Sequence, residues 1–132
     1  MSAAYVDTSA LVAVLLGEPQ AEAMAAELTR HETLLSSNLL EAELRAVLAR
    51  ENVRVELTSL VRGIDWVLPD RPLAYELKRV LEGGYVRGSD AWHLACALYL
   101  DPEPSELHLI SLDERQLDVA RILGFTVPGS PS

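Results

Sequence analysis

The sequence predicts an α/β fold built on a parallel sheet. Short apolar runs of strand length alternate with longer stretches in which apolar residues recur at helical spacing. Gly, Pro, Ser or Asp stands at most of the junctions, where a strand hands over to a helix or a helix must stop. With 132 residues, 49% of them hydrophobic, the chain has the size and composition of one domain with one core, taken here as residues 1–132.

The elements follow in order. Residues 4–6 form a first strand, and Thr8 and Ser9 offer an N-cap for an apolar helix reaching Leu16 and ended by Gly17. Pro19 opens a second helix to about Arg30, residues 33–36 are extended, and a third helix runs from about Asn38 to Arg50. A short helix over 55–62 ends at Gly63, a strand covers 64–68, and Pro72 starts a helix that stops near Gly83 and Gly84. Ser89 is the expected cap of the next helix, to Leu100; a Pro-bearing loop over 101–105 leads into a strand over 107–111. The chain then makes a helix over 113–123, with Gly124 just past its end, and a last strand over 125–127 before a Pro/Gly/Ser tail.

Charge and compartment narrow the function. Eleven basic against 20 acidic residues, a net charge of -9, argue against nonspecific binding to a phosphate backbone. The basic residues are unevenly spread, however: none precedes Arg30, while Arg45, Arg50, Arg54, Arg62, Lys78, Arg79 and Arg87 fall mid-chain. A polyanionic substrate would approach that region, or acids whose sign bound cations have reversed. The N-terminus lacks a basic leader, and the apolar run from Ala10 to Leu16 is too short to span a bilayer, so a cytoplasmic protein is expected. The single cysteine, Cys96, lies in an apolar stretch and reads as an inert buried thiol.

Four acids stand out. Asp7 ends the first strand and Asp113 follows the 107–111 strand, each directly ahead of a helix. Acids there are favoured by the helix dipole alone, but the carboxyl ends of parallel strands also form the crevice where open sheets bind ligands. Asp90 shares a helical face with Leu94, Ala97 and Leu98, which aims it inward. In the 38–50 helix, Glu43 falls with Leu39, Leu40, Ala46 and Val47, whereas Glu41 sits four residues before Arg45, the spacing of an exposed ion pair. At ~100° per residue the two glutamates point about 160° apart, so only Glu43 faces in. His93 reads as a packed, hydrogen-bonded residue rather than a ligand. Four inward carboxylates would repel by about 3 to 4 kcal/mol per pair at about 4 to 5 Å and an effective dielectric near 20. With oxygen ligands and no soft ones, Mg²⁺ or Mn²⁺ is the expected remedy, and metal-assisted phosphodiester hydrolysis the expected chemistry. Thr8, Ser9 and Ser111 would support the set by orienting a carboxylate or a water.

Four segments then resemble one family, the PIN domains, and within it the VapC-type toxin ribonucleases of VapBC toxin-antitoxin pairs. They are Val6-Asp7-Thr8-Ser9-Ala10-Leu11, Ser37-Asn38-Leu39-Leu40-Glu41-Ala42-Glu43-Leu44, Ser89-Asp90-Ala91-Trp92-His93-Leu94-Ala95 and Ile110-Ser111-Leu112-Asp113-Glu114-Arg115. All four acids are in place, and only residues 50–88 carry no signature of the family. The resemblance implies a three-layer α/β/α sandwich and a Mg²⁺ or Mn²⁺ site made by Asp7, Glu43, Asp90 and Asp113. It also implies endonucleolytic cleavage of RNA, a homodimer, and a cognate VapB-type antitoxin whose tail covers the active site. Two other readings compete. One is a catalytically silent binding module on the same fold; the other is a phosphatase using Asp7 as nucleophile, although Thr8-Ser9 lacks the second Asp that such enzymes carry.

Overall fold

The computed structural model describes residues 2–128; the tail expected after the last strand lies, from residue 129 on, outside the described residues. Strands β1 (Ala3–Val6), β2 (Thr33–Ser37), β3 (Ile64–Val67) and β4 (His108–Ile110) form one sheet in the order β3-β2-β1-β4, with every pairing parallel. The helices are α1 (Thr8–Leu15), α2 (Ala21–Thr29), α3 (Leu39–Arg50), α4 (Leu57–Val61), α5 (Ala74–Gly83), α6 (Gly88–Leu100) and α7 (Glu114–Leu123).

Strand pleating sorts the apolar residues into two layers. Tyr5, Leu35, Val67 and Leu109 face one way, into a core completed by Val80, Leu94, Leu98, Val119 and their neighbours on α5, α6 and α7. Ala4, Val6, Leu34, Ile64 and Ile110 face the other way, against residues of α1 to α4 such as Ala10, Leu40 and Leu44. Both sheet faces are covered, which is why apolar residues predominate in the strands on both sides. The result is the expected three-layer sandwich. α6 is buried almost all round, and its Cys96 is free, fully buried and pushed by burial up to about 11, out of reach of thiolate chemistry at neutral pH. No helix is long and apolar enough to cross a membrane among the described residues.

Sheet order positions the site. The chain builds outward from β1 through β2 to β3, then returns to place β4 on β1's other side. The order therefore reverses between β1 and β4, and the carboxyl ends of those strands flank a crevice of the kind open α/β sheets use for ligands. Asp7 continues the ladder one residue past β1, its N–H donating to Ile110 O at 2.9 Å.

Three local expectations need correcting. The first helix is capped by Asp7, whose Oδ2 accepts from Ser9 N at 3.2 Å, rather than by Thr8 or Ser9. α6 starts two residues early, behind an extended Arg87, which puts Ser89 inside its first turn. The last strand shrinks to a single bridge, Thr126 with His108, where Leu109 N donates to Thr126 O at 2.9 Å. Gly124 takes the left-handed conformation at the end of α7 (φ 107°), as its place in the sequence requires.

Candidate active site

An open cleft of about 480 Å³ lies at that switch point, and Asp7, Thr8, Ser9, Glu43, Asp90 and Asp113 all line it. Each reaches it from a different part of the chain. Asp7 leaves β1 as the cap of α1, and Asp113 caps α7, its Oδ1 accepting from Gln116 N at 3.0 Å. The helix-start role that either acid could have played on its own is thus real, and it is the device that aims them. Glu43 sits at the rim of the buried Leu40-Leu44-Leu48 stripe of α3, with its side chain 28% exposed. It is an edge residue of that helix; Ala46, expected on the same apolar face, is exposed. Glu41 falls on the far side of the stripe and accepts from Arg45 Nε at 2.9 Å, in an exposed pair. Ser111 stands behind the cleft, 6% exposed.

The carboxylates are held one oxygen at a time. Asp7 Oδ2 accepts from Ser9 N, Ser9 Oγ at 2.7 Å and Ser111 Oγ at 3.1 Å, while its Oδ1 meets only Gln116 Nε2, at 3.4 Å, and the His93 ring, at 3.9 Å. Glu43 Oε1 takes both Thr8 Oγ1, at 2.8 Å, and His93 Nε2, at 2.7 Å. Asp113 is bonded through Oδ1. Among the described residues, Glu43 Oε2 and Asp113 Oδ2 accept no hydrogen bond. The hydroxyls expected to orient carboxylates do contact them: Thr8 reaches Glu43, and Ser9 and Ser111 reach Asp7.

Behind Glu43 runs a chain of polar contacts that sequence reasoning did not find. Ser37 N donates to Tyr5 Oη at 3.0 Å, and Tyr5 Oη lies 2.7 Å from His93 Nδ1. Burial holds the Tyr5 phenol well above its ordinary range, so it keeps a proton that it can offer to a neutral Nδ1. The ring's other nitrogen, Nε2, then carries the hydrogen and donates to Glu43. His93 is fully buried and serves as a hydrogen-bonded packing residue, as expected; its partner is the glutamate of the cleft. Gln116 is the second omission: fully buried, it spans Asp7 Oδ1 and Asp90 O, each at 3.4 Å, and its Oε1 has no partner.

Electrostatics separates Glu43 from Asp90. Burial pushes Glu43 up, but the hydrogen bonds from His93 and Thr8 outweigh it and leave the carboxyl below its ordinary range. Asp90 goes the other way: burial, then the charges of Asp7 and Asp113, raise it, against only Arg87, whose Nε is 3.7 Å from Oδ2. A raised carboxyl binds its proton more tightly folded than unfolded, so ionising Asp90 costs the metal-free fold stability as pH rises through that window. Asp90→Asn should therefore melt above the parent in EDTA at pH 7, by something on the order of a few degrees. The gap should close as pH falls and the parent's Asp90 takes up its proton. Thermal melts of both proteins from pH 4 to 8 check this, and a variant less stable than the parent at pH 7 would contradict it.

The donor set suits a hard divalent cation. It is all oxygen, its members repel one another, and Asp7, Glu43 and Asp113 are each anchored through one oxygen with the other more weakly engaged or unbonded. As the side chains stand, no three His, Cys, Asp or Glu among the described residues are grouped closely enough to hold an ion. The four acids share a cleft without forming a closed cage.

Comparison with known proteins adds two findings. A family model described as PIN domain matches residues 4–122. The chain is also 33% identical, over 135 aligned residues, to a protein of Mycobacterium tuberculosis named Ribonuclease VapC46; the match covers 96% of this chain and 97% of that protein.

Proposed function

The chain belongs to the PIN-domain family, in its VapC-type branch, and from that premise we propose that it is a metal-dependent endoribonuclease, the toxin of a toxin-antitoxin pair. One observation carries the reading: four acids spread from residue 7 to residue 113 line a single cleft at the sheet's switch point. Asp7, Glu43, Asp90 and Asp113 would hold Mg²⁺ or Mn²⁺, which supplies, when bound, polarisation of the phosphate and of an attacking water.

The chain's own residues have separable parts in this. Ser9 and Ser111 pin Asp7 through Oδ2 and leave Oδ1 for the cleft; Thr8 and His93 pin Glu43 through Oε1 and leave Oε2. The Tyr5 hydroxyl fixes the His93 ring, so Glu43 is met by an N–H donor and stays ionised. Asp90, raised by burial and then by the charges of Asp7 and Asp113, would be relieved by a bound cation. The same cleft offers an Arg-bearing antitoxin segment a set of carboxylates to pair with, one way a cognate VapB-type partner could silence the enzyme. The homodimer expected from the resemblance belongs to this proposal as well.

Incubation of the purified protein with assorted RNAs is the test. Cleavage should appear with added Mg²⁺ or Mn²⁺ and vanish in excess EDTA. Full cleavage in EDTA would refute the metal-dependent reading. A protein inert toward RNA with either metal would favour the silent binding module.

A further inference from the structure

A second hollow, of about 180 Å³, adjoins the carboxylate cleft and shares Arg87, Asp90 and Asp113 with it; Val86 and Arg115 complete its lining. Beside it the Arg115 guanidinium lies over the Tyr85 ring, 5.8 Å from the ring centre. Tyr85 is 67% exposed, as is Tyr75, but only Tyr85 lies beside the hollow with a guanidinium over its ring. Several cations elsewhere are tied to acids close in sequence, Arg30 to Glu27, Arg45 to Glu41, Arg71 to Glu76, Lys78 to Glu82 and Arg121 to Asp118. Among the described residues Arg54, Arg62 and Arg79 are not, but none of these lines the carboxylate cleft or its neighbouring hollow. Arg115 makes no ion pair among the described residues, and Arg87 has only the 3.7 Å contact with Asp90, on a side chain 77% exposed.

We propose that Tyr85, Arg87 and Arg115 form a binding subsite for one nucleotide of a single-stranded RNA, next to the scissile phosphate. Its base stacks on the Tyr85–Arg115 pair, and its phosphate rests on Arg87. The inference rests on the ribonuclease reading and adds to it the residues that hold a nucleotide beside the reacting one. A chain of net charge -9 repels a polyanion everywhere except where cations are concentrated. Arg87 stands on the cleft's own lining, where a phosphate neighbouring the reacting one would lie. An aromatic face and a guanidinium plane bind a base by stacking, which requires that the base be unpaired, and stacking tolerates any base. A guanidinium laid over a ring also keeps its N–H edge for phosphate or base oxygens. A duplex buries both faces of its bases and could use Arg87 alone.

The test is titration of fluorescein-labelled single-stranded RNA, read by anisotropy, on protein carrying Asp7→Asn to suppress cleavage. Adding Tyr85→Ala should weaken binding by about 5- to 160-fold, the range for loss of one stacked base, while Tyr85→Phe should stay within about twofold. Arg115→Ala should weaken binding like Tyr85→Ala, and Arg87→Ala should lower the slope of log affinity against log salt by about 0.7, one phosphate's share. Double-stranded RNA should bind the Tyr85→Ala protein as it binds the parent. All three positions are exposed, so folding should survive, and circular dichroism confirms it. Cleavage by otherwise wild-type protein separates the two levels of argument. A protein that cuts no RNA defeats the ribonuclease reading and the subsite with it. A protein that cuts RNA with KM unchanged by Tyr85→Ala and Arg115→Ala leaves the ribonuclease standing and overturns the subsite. Loss of self-association or of a copurifying protein in these variants, with RNA affinity intact, overturns it in favour of a protein-binding patch.

Discussion

Asp7→Asn should lower metal-dependent RNA cleavage by at least about 100-fold, beyond the ~10- to 100-fold typical of groups that only support a metal ligand. The fold should survive. Asn caps a helix as well as Asp does, so Ser9 N keeps an acceptor at the start of α1. Its oxygen can also take over the Ser9 and Ser111 hydroxyls that now meet Oδ2. The new amide would face Gln116 Nε2, donor against donor. Gln116 can answer by flipping, because its Oε1 is buried without a partner and would become the acceptor, at the expense of the 3.4 Å contact with Asp90 O. Removing the charge also relieves Asp90, which Asp7 now pushes up. The variant should therefore melt no lower than the parent in EDTA while losing its activity. Cleavage rates at saturating Mg²⁺ beside thermal melts make the comparison. A variant retaining more than a tenth of the parent's rate would remove Asp7 from the metal site.

Glu43→Gln should be nearly as damaging, again by about 100-fold or more, and Glu41→Gln should stay within about twofold. The two side chains are chemically identical and two residues apart. Glu41 forms an exposed pair with Arg45, worth roughly 0.2 to 0.5 kcal/mol, and touches nothing in the cleft. Glu43 accepts from Thr8 and His93 through one oxygen. A glutamine there can keep its carbonyl toward both donors, so the packing survives, but the atom left for an ion becomes an NH₂ group, which cannot ligate a cation. Initial rates for both variants, with circular dichroism to confirm folding, decide the matter. An active Glu43→Gln protein beside a dead Glu41→Gln protein would invert the assignment of the α3 faces.

The sequence determined more of this protein than its local chemistry alone. Strand and helix alternation identified the parallel sheet, because a βαβ crossover leaves a readable change of hydrophobic period. The strand-end acids Asp7 and Asp113 were legible because a carboxylate placed where a strand becomes a helix serves as a cap whatever else it does. Glu43 was told from Glu41 by helical angle, a property of neighbours in the chain. Where expectation slipped, a local rule met a tertiary one. Ser89 yielded the start of α6 to an extended Arg87, and the last strand was cut to one bridge with His108. Asp90's inward face carried less information than expected, since α6 is buried on nearly every side.

Only the tertiary structure decided what holds the acids. Tyr5 meets His93 across 88 residues and Gln116 meets Asp7 across 109, and neither pair has a periodicity or motif joining it. The placement of Arg115 over Tyr85 depends likewise on how α7 packs beside the start of α6. Such contacts follow from the order β3-β2-β1-β4, which brings β4 back beside β1 and sets the helices of one layer side by side. Backbone preferences act over a few residues and can be read locally. Side-chain hydrogen bonds and stacking act over about 3 to 6 Å of space, so their partners exist only once the sheet has chosen its order.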